Sequence, residues 1–257
     1  MAIETRSAFI YGHTIDDDNS FINFTEDGII ELSATIEVGS YTITQFTDAI
    51  AKALNEVGDN NYTATLDRIT RKISVSSDAS FSFLVTTGSN ISISAFPLMG
   101  FTTDQTGLLT YEADEESGTY YTPQATLRRY KDSEDNQSSV QSKVNESSEG
   151  DIELVTYGTR TFTSFNIKYI TDITGQSGNV AEDDPNGRLN ANLFMRYIRL
   201  KRPIEFMPDR DTPSDFKSMF LEKTSQGADG TKYELQELYA EKLAFYFQTG
   251  TLLFRIL

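Results

Sequence analysis

Alternation of apolar and polar residues is the feature that most restricts how this chain can fold. It is clearest between Ile30 and Val38, where every second residue is apolar: Ile30, Leu32, Ala34, Ile36 and Val38. This spacing is typical of a strand with one buried face. Related patterns predict strands at 62–67, 72–76, 152–157, 161–170 and 216–223. The chain is therefore predicted to be rich in antiparallel sheet.

Helical spacing of apolar residues occurs in two segments. The first is a stripe formed by Ile43, Phe46, Ile50, Ala53, Leu54 and Val57. Thr42 and Gln45 have the spacing of a capping box, and Gly58 is predicted to end this helix in a left-handed conformation. The second stripe contains Leu189, Leu193, Phe194, Tyr197 and Ile198, and its helix is predicted to end before Pro203.

These elements predict an α+β, β-rich fold with two domains of antiparallel sheet, each packed against one main helix. Residues 1–122 form the predicted N-terminal module. Residues 123–151 form an acidic linker or mobile loop, because this stretch is dominated by Asp, Glu, Ser, Asn and Gln. Residues 152–257 form the predicted C-terminal domain. It is predicted to end in an apolar hairpin of 242–247 and 251–257.

Residue counts exclude most catalytic chemistry. The 257 residues contain no cysteine and one histidine, His13, which is predicted to lie at the surface or in a turn. No thiolate chemistry or zinc–sulfur site is therefore available, and neither a nucleophile elbow nor a phosphate-binding loop is present. The chain is predicted to be no enzyme, with no catalytic residue and no cofactor. A carboxylate-based hydrolase stays open as an alternative, because 38 acidic residues always offer a pair.

Two dense groups of oxygen ligands, 16–19 and 182–187, are the places where a structural calcium ion could bind. Neither has the spacing of an EF-hand loop. Solvated acidic turns explain both groups more simply, so no metal site is predicted.

The formal net charge is −16, which argues against direct binding of nucleic acid. The charge is explained by solubility or by a surface that repels DNA, such as the wall of a DNA conduit. The first residues do not have the pattern of a signal peptide, and no run of apolar residues is long enough to span a membrane. The chain is predicted to be made in the cytoplasm without an export signal of its own.

Two groups of residues are candidate interface residues. The first is a basic run of Arg196, Arg199, Lys201 and Arg202. It forms either a solvated helix face, with or without salt bridges to acidic neighbours, or a docking site for an acidic partner subunit. The second group consists of the apolar residues Phe245, Phe247, Leu253 and Phe254, which belong to a core or an interface. Deletion of 243–257 is predicted to abolish solubility or assembly.

Residues 30–105 contain a series of short motifs at characteristic spacing. They are the stretch Gly39–Asn55, which runs from Gly-Ser-Tyr-Thr to Ala-Leu-Asn, followed by Tyr62–Asp67, Arg71–Val75, Phe81–Phe83 and Pro97–Phe101. In this order they resemble virion structural proteins of tailed bacteriophages, in particular distal-tail-like components. The second half resembles tail and baseplate proteins more loosely, at Tyr157–Arg160 and Ile204–Asp209.

The resemblance implies a role and carries no catalytic residues. It implies a subunit of a ring or sleeve in the tail, baseplate or neck, which is made in the host cytoplasm and located in the virion. The implied partners are copies of the same chain, as a hexamer or trimer, and other tail or baseplate proteins. The alternative is a carbohydrate- or receptor-binding β-module on a virion or cell surface.

Overall fold

The computed structural model describes residues 7–121, 134–146, 152–168, 170, 191–208, 212, 214–237 and 247–257, with the backbone alone for 134–146, 152–159 and 237. The first half contains β1 (Ala8–Tyr11), β2 (Thr14–Ile15), β3 (Phe21–Thr25), β4 (Leu32–Thr35), β5 (Gly39–Ser40), α1 (Ile43–Val57), β6 (Tyr62–Leu66), β7 (Ile73–Phe83), α2 (Phe96–Met99), β8 (Gln105–Glu112) and β9 (Thr119–Tyr121). The second half contains β10 (Glu134–Glu146), β11 (Ile152–Asn166), α3 (Ala191–Arg199), β12 (Ile204–Met207), β13 (Lys217–Thr224), β14 (Gln236–Glu237), β15 (Phe247–Gln248) and β16 (Thr251–Ile256).

Helix α1 begins at the predicted capping box. Thr42 Oγ1 accepts a hydrogen bond from the Gln45 backbone N–H at 3.1 Å, and Gln45 Oε1 accepts one from the Thr42 N–H at 2.9 Å. Two of the N–H groups that a helix N-terminus leaves unpaired are therefore satisfied. The apolar stripe faces inward, and its buried members are Ile43, Phe46, Ile50, Ala53 and Leu54.

The predicted left-handed conformation of Gly58 is wrong, because its φ is −83° and its ψ is 160°. The extended backbone delivers the N–H groups of Asp59 and Asn60 to the Glu26 carboxylate, at 3.1 and 3.0 Å. A Cβ atom at position 58 would lie 2.5 Å from Glu26 Oε1. Close approach of the carboxylate therefore explains the glycine.

Most of the described strands belong to two antiparallel sheets. The smaller has the strand order β4-β3-β7-β6, with β8 paired to β7. The larger has the order β10-β11-β16-β13-β12-β1-β9. Together with three α-helices, these sheets confirm the predicted α+β, β-rich class within the part of the chain that the structure describes. None of the described helices is long and apolar enough to cross a membrane.

Two hydrophobic cores lie on the two sides of strand β1. Buried members of the first core include Ile22, Phe24, Phe46, Leu54, Phe81, Phe83, Phe96 and Phe101. Buried members of the second include Tyr121, Phe165, Phe194, Phe206, Met219, Leu252 and Phe254. Ala8 and Ile10 pack in the first core, whereas Phe9 and Tyr11 pack in the second. Because successive side chains of a strand point to opposite faces, β1 joins the two cores.

Sheet pairing crosses the predicted domain boundary. Strands β1 and β9 belong to the predicted module 1–122, yet β1 pairs with β12 in the second half and β9 pairs with β1. The unit around the second core therefore contains strands from both ends of the chain. A boundary in sequence at residue 122 does not separate the two cores in space.

Two sequence predictions in the second half are wrong. Residues 134–146 of the predicted linker form β10, because its backbone pairs with β11 and this pairing needs no apolar side chains. The predicted terminal hairpin does not form in the described residues. Strand β15 pairs with β14, whereas β16 lies between β11 and β13. The rest of the predicted first hairpin strand, 242–246, lies outside the described residues.

Candidate interface site

Helix α3 presents one apolar and one basic side. Leu193, Phe194 and Ile198 are buried in the second core. Arg196 and Arg199, three residues apart on the exposed side, lie in the last turn. Cations in the last turn interact favourably with the helix dipole. The predicted helix end before Pro203 is confirmed by the helix bounds, although the predicted member Leu189 lies outside the described residues.

Arg196 and Arg199 line an open cleft of ≈ 480 Å³ beside the second core. Asn192 and Met195 lie on the same helix wall, and the opposite wall is formed by Tyr233, Glu234, Leu235 and Phe247. The cleft therefore combines two guanidinium groups with aromatic and aliphatic surface. Arg and aromatic side chains are the types enriched in protein–protein interfaces.

The basic run finds few partners among the residues that the structure describes. Arg196, Arg199 and Arg202 are exposed and form no ion pair with any residue that the structure describes. Lys201 Nζ donates to the Glu222 carbonyl at 3.3 Å. Exposed arginines fit both interpretations of this run, the solvated helix face and the docking site. Their charges face solvent in a chain of net charge −16.

The apolar interface candidates divide between surface and core. Phe247 on β15 is half-buried and lines the cleft. Leu253 on β16 is half-buried and is not part of the cleft lining. Phe254 is fully buried, with ring centroids 5.7 Å from Phe165 and 6.3 Å from Phe9. Its side chain packs the core of its own chain, so its assignment to an interface is corrected. Phe245 lies outside the described residues.

Tyr233 and Leu235 belong to the cleft but were not among the predicted interface residues. Nothing in the local sequence pattern connects their segment with α3. Only the charge run and the apolar C-terminal segment gave a signal, and they identified Arg196, Arg199 and Phe247 of the cleft lining.

His13 is half-buried rather than at the surface, which corrects that part of its prediction. Its ring lies 4.7 Å from the Phe46 ring, and burial lowers its pKa to about 4. Ser117 donates its single hydroxyl proton to the Leu98 carbonyl at 2.7 Å, so His13 Nε2 donates to Ser117 Oγ at 2.9 Å. Nε2 therefore carries the proton of the neutral ring, and Ser117 is not positioned as a nucleophile activated by His13.

The first of the two predicted oxygen clusters, 16–19, forms hydrogen bonds within its own turn. In the first predicted oxygen cluster, the Asp18 N–H donates to Asp16 Oδ1 at 3.1 Å and the Asp16 N–H donates to Asn19 Oδ1 at 2.9 Å. Within the described ranges no group of three or more His, Cys, Asp or Glu side chains could hold a metal ion. The second cluster, 182–187, falls outside those ranges.

A second open cleft, of ≈ 610 Å³, runs along α1. Its lining includes Glu37, Lys52 and Glu56, and Lys52 Nζ lies 3.7 Å from Glu37 and 3.8 Å from Glu56. With Asp48, the lining of this cleft is acidic. The α3 cleft has two guanidinium groups and one carboxylate, Glu234, which pairs with Lys232 at 2.9 Å.

No family model matches the chain, and no curated protein matches it. Among solved structures, the chain is similar to the mavirus penton protein, solved with selenomethionine. The identity is 8%, the TM-score is 0.30, and the match covers 98% of this chain and 84% of that chain. At this TM-score the likeness establishes neither fold nor function for this chain.

Proposed function

We propose that this chain is a non-enzymatic structural subunit of a virion that assembles by self-association. The observation that supports the assembly is the α3 cleft. There Arg196 and Arg199 form no ion pair with a described residue and lie beside Tyr233, Leu235 and Phe247, in a chain of charge −16. An acidic protein with one localised basic face has complementary surfaces on every copy. Such surfaces set the register of a head-to-tail contact.

The finer proposal is a ring or sleeve, as a hexamer or trimer, in the tail, baseplate or neck of a tailed bacteriophage. The sequence motifs of 30–105 support it. The partners are then other copies and neighbouring tail or baseplate proteins, and the location is the virion. Mass spectrometry of purified virions tests this finer proposal. Absence of the chain from every virion preparation would contradict it.

The self-association is tested by light scattering after size exclusion and by negative-stain electron microscopy. The wild-type chain is expected to form a closed oligomer. The double variant Arg196→Glu/Arg199→Glu is expected to raise the dissociation constant at least about tenfold, which corresponds to about 1.4 kcal/mol. Added salt is expected to weaken the wild-type contact.

The matched control is Lys72→Glu/Lys223→Glu, which changes the net charge equally at positions outside the cleft. Assembly of this control should be close to that of the wild type. Equal losses in both double variants would mean that net charge, and not the cleft, governs assembly. A wild-type chain that stays monomeric would overturn the proposal.

A further inference from the structure

The hairpin of β10 and β11 is longer than the sheet that holds it. The two strands pair from Glu134↔Phe165 to Glu146↔Ile152, with an irregularity between Gln141 and Ser142. Strand β16 pairs with β11 only at Phe162–Asn166. Residues 138–146 and 152–161 therefore extend past the sheet as a two-stranded segment, here called the arm. At about 3.4 Å per residue, the arm is roughly 30 Å long.

Both outer edges of the arm lack a neighbouring strand among the described residues. Isolated two-stranded hairpins are at best marginally stable in water. Unpaired edges also present rows of free N–H and C=O groups that pair readily with another chain. We therefore expect an arm of this length to be stabilised by a further contact along one of its edges.

Strand β8 is a second open edge. It pairs with β7 on one side and with no described strand on the other. Leu108 and Leu109 on this strand are 58% and 54% exposed. The segment 105–112 contains neither lysine nor proline, but two register shifts interrupt its pairing with β7. The edge is therefore protected by irregular pairing and not by side chains.

Net charge opposes contact between these two edges only weakly. The arm contains Lys143, Glu146, Glu153 and Arg160, which sum to zero, and Glu112 is the only charged residue of β8. In a chain of charge −16, most pairs of surfaces on two copies repel one another. The arm, with a net charge of zero, and β8, with a single carboxylate, are two segments where this repulsion is small.

We propose that the arm of one copy adds as a strand to the β8 edge of a second copy. Donor and acceptor are different surfaces of the same chain, so each copy gives one contact and receives one. Such heterologous contacts close into a ring when the rotation permits. This inference rests on the proposed self-association and adds a second pair of contact surfaces to the α3 cleft.

The absence of native cysteines allows a direct test by cross-linking between copies. A Ser142→Cys copy, with the new thiol on the arm, is mixed with a tagged Thr110→Cys copy, with the thiol on β8, and treated with a short bismaleimide. The expected main product is the mixed dimer. A Lys223→Cys copy, exposed on another strand, is the control partner and should give at least tenfold less product. Cross-linking of Ser142→Cys copies with one another alone, or equal yields with the control, would overturn the proposal.

A second variant removes the arm without disturbing the sheet. Gln137 and Phe162 are cross-strand partners, so an Asn-Gly turn can replace residues 138–161 and keep the pairing of β11 with β16. The melting temperature is expected to stay within about 4 °C of the wild type. The assembly is expected to be lost, and Leu108→Ser/Leu109→Ser should lose it as well.

The outcomes separate this inference from the proposed function. If the wild type and the armless variant assemble equally well, the arm contact is refuted and the self-association stands. If the wild type does not assemble, the proposed function fails and the inference fails with it.

Discussion

Glu205 joins the two halves of the chain through a buried ion pair. Its side chain is fully buried on β12, where Oε1 accepts the Thr44 N–H in the first turn of α1 at 3.0 Å. Arg68 Nη2 donates to Glu205 Oε2 at 3.1 Å, and its guanidinium carbon lies 3.7 Å from the centre of the Phe216 ring. Removal of either charged partner leaves the other charge buried without compensation.

We therefore expect Glu205→Leu and Arg68→Met each to lower the free energy of unfolding by about 3–5 kcal/mol. The loss of an acceptor for the Thr44 N–H contributes about 1–3 kcal/mol of the effect of Glu205→Leu. The double variant removes both charges and is expected to cost less than either single variant. The coupling in this double-mutant cycle should therefore exceed about 2 kcal/mol.

Urea unfolding followed by far-UV circular dichroism measures these values, since the chain has no tryptophan. The control is Glu222→Leu, which breaks the more exposed Arg255–Glu222 pair of 2.6 Å and should cost at most about 1 kcal/mol. Additive losses in the double variant, or equal losses for Glu205→Leu and the control, would refute the account of a coupled buried pair.

Three further predictions concern pH, a glycine and the last strand. Because burial lowers the pKa of His13 to about 4, the unfolded chain binds the proton more tightly. The free energy of unfolding should fall by about 2–3 kcal/mol between pH 6.5 and 4, beyond the change in a His13→Asn variant. An NMR titration of this single histidine that gives a pKa near 6.5 contradicts the prediction. Gly100→Ala, where φ is +84° and a Cβ would lie 2.3 Å from the Glu115 carbonyl oxygen, should destabilise more than Gly107→Ala, where φ is +70° and no atom lies within 4 Å. In urea unfolding the second should cost about 1–2 kcal/mol, and equal losses would exclude the steric cause. Deletion of 251–257 should unfold the second core, since it removes a strand between β11 and β13, and a soluble truncated chain with unchanged circular dichroism would contradict this.

The start of helix α1 could be predicted because its signals are local. A capping box links residues three positions apart, so Thr42 and Gln45 suffice to identify it. The end of the helix could not be predicted in the same way. The conformation of Gly58 follows from Glu26, which lies far away in sequence and binds the next two N–H groups.

The strand that alternation predicted from Ile30 to Val38 is longer than the observed strand β4. Ile30 was included in the predicted strand, yet it is 62% exposed, and the preceding Ile29 is 87% exposed. Asp27 Oδ1 accepts the N–H groups of both residues at 2.8 Å, and Gly28 has a φ of 74°. The side chain of Asp27 therefore makes a turn where the apolar pattern alone predicted extended backbone.

The candidate interface was predictable only in part. The spacing of Arg196 and Arg199 placed both on one side of a helix. Strand pairing places Tyr233, Leu235 and Phe247 in the same cleft as the two arginines. No local sequence pattern encodes this pairing. The arm was missed because its strand β10 is polar and is paired through its backbone.

The sequence by itself determined the types of the main elements, the acidity of the chain and the scarcity of catalytic side chains. These properties depend on counts or on neighbours along the chain. Only the tertiary structure decided that β1 lies between two cores, because Ala8–Tyr11 is apolar on both faces. Likewise it decided that Phe254 is buried while Arg196 and Arg199 are exposed. Burial and ion pairing depend on residues far apart in sequence, and the fold alone brings them together or keeps them apart.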